Sequence, residues 1–321
     1  MAHGIQSMAF VGEVPWHGLG NRLTPDSPLE IWAKEAGMDW NLLSTPALGL
    51  DDTDEVFLFP ERNILYRSDT KAPLSIVSDA YKVVQPGEVL EFYRDLVATA
   101  DFKLHTAGVL FGGKKFWALA EVGESVRIMG QDKIDGYLLL ATSCDGSLAT
   151  TAQFTSVRVV CNNTLTISIR DEQGKPSTIK VPHHSTFDPE QVKVQLGLAK
   201  DGFAQFAETA EVLAKRKVTD KEAVEFLVRA WNNVSEVTEE TLETSDSKNV
   251  KALFQLFKGE GKGSNLRSAD GTAWGLVNAI TEFCDHRRQT KTADNRLNSA
   301  WFGQGATIKG RAWDEALRLV A

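Results

Sequence analysis

The apolar residues of this chain change their period once, close to residue 185, and that change constrains the fold more than any other feature. Up to about residue 182, short runs of β-branched and aromatic residues are separated by Gly, Pro, Asp and Asn; after Asp188 apolar residues recur every three or four positions. The first pattern predicts strands and the second helices. The expected fold is α+β: a curved antiparallel sheet with a helix packed across it, followed by a C-terminal helical region. The domains expected are residues 1–185, an antiparallel-sheet domain, and residues 186–321, helical with a basic C-terminal segment. With 321 residues, 42% of them hydrophobic, the chain can bury a sizeable core.

Local signals sharpen the outline. Val89, Leu90, Phe92, Tyr93, Leu96 and Val97 predict one amphipathic helix over Gly87 to Ala100, with Leu90, Tyr93, Leu96 and Val97 facing the sheet. Gly112-Gly113 predicts a hairpin turn between Thr106–Phe111 and Lys115–Val122. Pro60-Glu61-Arg62-Asn63 predicts another turn, between strands at Val56–Phe59 and Asn63–Tyr66. Asp188 with Pro189 opens one long helix to Lys215-Arg216-Lys217, and Thr219 with Glu222 forms a capping box for a helix to about Asn233. Thr272–Arg288 and Thr307–Leu319 predict two more helices, with a glycine-bearing link at Trp301-Phe302-Gly303-Gln304-Gly305. Met8 to Leu23, with Pro15, Trp16, His17 and three glycines, reads as a structured loop or lid.

Charge is unevenly spread. The formal net charge is -8, yet residues 258–321 hold ten basic against seven acidic residues, leaving 25 basic and 36 acidic for residues 1–257. A chain this acidic is no general coat for DNA, and any nucleic-acid contact must be a local patch. Cys144, Cys161 and Cys284 are too few for a disulfide framework, no signal peptide is visible, and no apolar run approaches the roughly 20 residues of a membrane span. A cytoplasmic protein of the host cell is expected, without membrane partners.

The usual carriers of catalysis are missing at sequence level. The six histidines show no i, i+4 pair, and no CxxC, HExxH, GxGxxG or GxxxxGK[ST] pattern occurs. No metal, cofactor or catalytic residue is assigned. His183-His184 as a metal site, Cys144 as a nucleophile, Asp51, Asp52, Asp54 and Glu55 as a two-metal site, and Trp16-His17 as the centre of an unseen enzyme are each outweighed by turn, loop or core readings.

Basic and aromatic residues are more suggestive. Arg158, Asn162 and Asn163 carry groups that bond phosphates and base edges, although a buried arginine with asparagine turns explains the same residues. Lys114 and Lys115 at the Gly-Gly turn could reach a phosphate. Arg287, Arg288, Lys291 and Arg296 are followed by Trp301, Lys309 and Arg311. Cations interleaved with aromatics suit a single strand, whose phosphates take the cations and whose bases stack on flat rings. Here too the alternative stands, that Trp301, Phe302 and Trp313 pack the helices.

Met1-Ala2-His3-Gly4-Ile5, Pro15-Trp16-His17-Gly18-Leu19-Gly20, Ala36-Gly37-Met38-Asp39-Trp40, Ser78-Asp79-Ala80-Tyr81-Lys82-Val83-Val84-Gln85, Arg158-Val159-Val160-Cys161-Asn162-Asn163-Thr164-Leu165, and Trp274-Gly275 with Asn278-Ala279 before Asp285-His286 run in order along the chain. Together they resemble the phage/plasmid-like protein family, a domain of unknown function found on phages, prophages and conjugative plasmids. The resemblance implies a mobile-element context of replication, recombination or evasion of host defence. The expected architecture is also similar to that of single-strand annealing proteins. The leading expectation is a non-enzymatic, phage-encoded protein that binds or anneals single-stranded DNA in recombination or replication, working as a homo-oligomer. The alternative is a protein-interaction role, such as inhibition of a host defence complex by an acidic face that mimics nucleic acid.

Overall fold

A computed structural model describes residues 7–12, 20–99, 102–158, 160, 163–166, 178–197, 200–239, 241 and 247–321. The Trp16-His17 segment, Cys161 and Asn162 lie outside the described residues. The fold is α+β, as the change of period predicts, with an antiparallel-rich open sheet of eight strands, a smaller sheet of three, and helices from residue 189 onward. Among the described residues no helix is long and apolar enough to cross a membrane.

The larger sheet contains β1 (Ser7–Phe10), β2 (Asn21–Arg22), β6 (Lys103–Leu110), β7 (Lys115–Ile128), β8 (Asp132–Ser143), β9 (Thr150–Arg158), β10 (Asn163–Thr166) and β11 (Thr178–Val181). Its order is β10-β9-β8-β7-β6-β1-β2, and β11 also pairs with β9. The smaller sheet is β3 (Leu42–Leu50), β4 (Val56–Arg67) and β5 (Pro73–Ser78), ordered β3-β4-β5. The chain forms two compact units. Residues 1–123, 138–153 and 178–197 make the first, and residues 124–137, 154–177 and 198–321 the second. β7, β8 and β9 each contribute residues to both units.

In the first unit the expected helix over residues 87–100 is two short ones, α2 (Pro86–Glu91) and α3 (Arg94–Thr99), broken at Phe92-Tyr93. Both aromatics at the break are buried, and the Tyr93 hydroxyl shares its proton between the carbonyls of Ala118 and Leu138 on β7 and β8, 3.0 Å each. That contact packs the helical segment across the sheet. The break also resets the helical phase, so Val97, expected to face the sheet, is 44% exposed. The turn at Gly112-Gly113 joins β6 to β7 as an antiparallel pair. The turn expected at Pro60–Asn63 does not reverse the chain: these residues lie within β4, at an irregularity where the β3–β4 register shifts and Glu61 takes a positive φ of 55°. The chain reverses instead at Asp51–Glu55, where the Asp51 carboxylate accepts from the backbone amides of Thr53 and Glu55, 2.9 Å each, and from the Thr53 hydroxyl at 2.8 Å. These donors hold the Asp51 carboxyl below its ordinary pKa. The residues considered for a two-metal site are this turn, and among the described residues no cluster of metal-ligating side chains is formed.

α1 (Leu29–Glu35) and α4 (Pro189–Gly197) belong to the first unit; the second is built on α5 (Lys200–Lys215), α6 (Asp220–Asn232), α7 (Ser247–Gln255), α8 (Ala273–Glu282), α9 (Ala293–Phe302) and α10 (Gln304–Arg318). The α6 capping box forms as predicted: the Glu222 amide donates to the Thr219 hydroxyl, and the Thr219 amide donates to the Glu222 carboxylate at 2.8 Å. α9 lies between the two helices expected at Thr272–Arg288 and Thr307–Leu319, and takes in Trp301 and Phe302 of the expected link. In the core of the second unit Phe206 stacks on Trp313, ring centroids 5.2 Å apart, and Trp274 stands edge-on to both at 6.2 and 6.5 Å, so Trp313 is core.

Candidate nucleic-acid interface

The predicted cations divide by what surrounds them. Arg158, at the end of β9, is only 3% exposed, and its Nε faces both Asp132 carboxylate oxygens at 2.8 and 2.9 Å. Its terminal nitrogens donate to the carbonyls of Lys262 and Gly263 at 3.3 and 3.0 Å. Asp132 also accepts from Ser268 Oγ at 2.8 Å and from Trp274 Nε1 at 3.1 Å. The loop can wrap the guanidinium because Gly263 has a positive φ of 68°, and because a Cβ there would lie 2.7 Å from Val160 Cγ1. A buried charge is tolerated when it is paired and fully hydrogen-bonded, and this one is both. The buried-arginine reading therefore describes Arg158. Asn163 enters β10, paired through its backbone with Arg158.

Lys309 has the same character. Its ammonium spends all three donors internally, on the Thr164 carbonyl at 2.6 Å, the Thr164 hydroxyl at 3.0 Å and Asp285 at 2.7 Å. The other Asp285 oxygen accepts from the Thr164 amide and hydroxyl. Beside it, burial pushes the Cys284 thiol up to about 12. In the first unit Lys115 is buried rather than extended from the hairpin tip, its ammonium 6.0 Å from the centre of the Phe111 ring, and burial lowers its pKa. Lys114 is half-buried, and its carbonyl accepts from the Cys144 amide at 2.9 Å. Burial raises the Cys144 thiol to about 12, far from the thiolate a nucleophile needs.

The remaining cations gather in the second unit where α8 ends and α9 meets α10. The last turn of α8 continues through Phe283–Arg287, and residues 288–292 lead into α9, which Thr292 caps through the Asn295 amide at 3.1 Å. Gly305 allows α10 to start against α9, since a Cβ there would stand 2.8 Å from the Ser299 carbonyl oxygen. The tight joint brings Ser299 and Gln304 to Arg288, which donates to the Ser299 hydroxyl at 3.3 Å and to the Gln304 side chain. The Arg288 guanidinium also lies 5.9 Å from the centre of the half-buried Trp231 ring, which is set edge-on to Phe283. Arg311 donates to the Trp231 carbonyl at 3.4 Å, and burial lowers its pKa. Arg296 donates to the His286 carbonyl at 3.0 Å. Arg287 pairs with buried Glu282 at 2.9 Å, while Lys291 is exposed. Trp301 and Phe302, both half-buried, stand edge to face 6.1 Å apart.

Of the twelve predicted residues, the junction thus brings together Arg287, Arg288, Lys291, Arg296 and Arg311, with Trp301 on α9. Arg288, Lys291 and Arg311 have no carboxylate partner among the described residues. Trp231, the ring beneath Arg288, was missed by sequence reasoning, because a tryptophan ending an amphipathic helix carries the same pattern whether it packs or stacks.

A family model for a domain of unknown function, DUF932, matches residues 73–301, and the chain belongs to that family. Neither the curated proteins nor the solved structures contain a match to it.

Proposed function

We propose that this chain binds single-stranded nucleic acid through the α8–α9–α10 junction, in recombination or replication of the phage or plasmid context that its sequence resemblance implies. The observation that carries the reading is Arg288. It is held by neutral partners, Ser299, Gln304 and the Trp231 ring, so its charge is not cancelled where it stands. Exposed Lys291, three residues further along the chain, and partly buried Arg311, which donates to the Trp231 carbonyl, add further positive charge to the junction. Fixed, uncompensated guanidinium beside an aromatic ring matches a phosphate next to a stacked base. Retention of end-labelled oligo(dT) on filters by purified protein tests the reading. Arg288→Ala should weaken retention several-fold with the fold intact, and equal retention by wild type and variant would refute the assignment.

A second reading, docking on another protein, is favoured by a different observation. Val56, Phe57, Leu58 and Phe59 form a run between 47% and 64% exposed on β4, facing the exposed Leu48 and Leu50 on β3. Contiguous apolar exposure of this kind marks interaction surfaces.

A further inference from the structure

The β3–β4 hairpin beyond Ala47 exposes six large apolar side chains, Leu48, Leu50, Val56, Phe57, Leu58 and Phe59. Its tip carries Asp51, Asp52, Asp54 and Glu55, all exposed. Pairing of β4 with β5 begins at Arg62 opposite Ser78, so from Val56 to Glu61 the side of β4 away from β3 has no strand paired to it among the described residues. An open apolar edge of this length is one that proteins ordinarily cover. The carboxylates decide what can cover it. Tip-to-tip pairing of two hairpins would set four carboxylates against four, a like-charge arrangement that costs free energy. A surface of opposite charge beside an aromatic ring would complement it, and this same chain carries one at Arg288, which lies over the Trp231 ring, and at exposed Lys291, neither paired with a carboxylate among the described residues.

We infer that the hairpin of one copy docks on the α8–α9–α10 junction of a second copy. Such a contact is head-to-tail: each copy offers one donor surface and one acceptor surface, and repetition gives a closed ring or an open filament. The inference rests on the proposed function in one respect, that the junction accepts anionic groups. It adds that carboxylates and phosphates compete for it, so that nucleic acid displaces the hairpin.

Sedimentation velocity of the full chain without nucleic acid tests this. Association should rise with protein concentration and fall between about 50 mM and about 500 mM salt as the charges are screened. Leu58→Ser/Phe59→Ser, which leaves in place the Phe57 ring lying across Gly49, should weaken association about tenfold or more, as should Lys291→Glu. A mixture of these two variants decides the geometry. One intact hairpin and one intact junction remain between them, so 1:1 dimers and nothing larger should form. A wild-type protein that stays monomeric, or association weakened by the hairpin variant and untouched by Lys291→Glu, would overturn the inference. Oligo(dT) binding by Leu58→Ser/Phe59→Ser is measured separately. Retained assembly in wild type with no oligo(dT) binding would sink the nucleic-acid reading alone.

Discussion

Replacing Arg158 with leucine would remove the cation from a carboxylate that is itself fully buried. Asp132 would keep two donors, Ser268 Oγ and Trp274 Nε1, and lose the guanidinium, while the Lys262 and Gly263 carbonyls would lose theirs. Breaking a buried pair by deleting one partner costs about 3–5 kcal/mol, and the two surviving hydrogen bonds place this case near the lower end. With a urea dependence of about 1–3 kcal/mol per molar, the midpoint should fall by about 1 M or more. Hydrogen exchange of α8, which carries Trp274, reads the loss in the second unit. Removing both charges, Arg158→Leu with Asp132→Leu, should restore part of the stability, because no unpaired charge then remains inside. A change within about 0.5 kcal/mol for Arg158→Leu would refute the buried-pair account. So would a folded Arg158→Leu protein that has lost nucleic-acid binding.

Tyr93→Phe should cost about 1–3 kcal/mol, since the Ala118 and Leu138 carbonyls lose their shared donor inside the sheet; urea unfolding checks it, and a neutral result would mean that the α2–α3 segment is not anchored there. Cys144 and Cys284 should resist a disulfide-forming thiol reagent at pH 8 in the folded protein and react on unfolding, read by mass spectrometry of the labelled peptides. Their folded pKa values near 12 stand above the unfolded value of 9.0, so their contribution to stability is complete below about pH 9 and is lost as pH rises toward 12. Stability that falls less steeply above pH 9 in Cys144→Ala/Cys284→Ala than in wild type is the expected result, and parallel curves would contradict it.

What the sequence made legible was local. The Thr219–Glu222 capping box, the Gly112-Gly113 turn and the change from strands to helices each depend on residues a few positions apart, and the structure has all three. Local signals also competed. Pro60–Asn63 has turn composition, but the Asp51 carboxylate with three nearby donors closes a better turn, leaving the proline inside β4 at the irregularity where its ladder with β3 is interrupted. The buried partners were beyond reach for a different reason. Asp132 meets Arg158, Ser268 and Trp274, and Lys309 meets Thr164, across spans of 26 to 145 residues. No spacing rule connects such residues, so an arginine or lysine that belongs to the core looks like one that faces solvent. Arg288 differs from Arg158 only in the company that folding brings to it, a tryptophan ring and two neutral side chains in place of a carboxylate.

Fluorescence anisotropy of a labelled oligo(dT), titrated with protein from about 50 mM to about 200 mM salt, tests the central claim most directly, because each phosphate neutralised contributes about -0.7 to the slope of log affinity against log salt. Wild type should bind with a clearly negative slope, and Arg288→Ala should bind more weakly with a slope shallower by about 0.7. Absence of binding at the lowest salt, or a slope that Arg288→Ala leaves unchanged, would contradict the account.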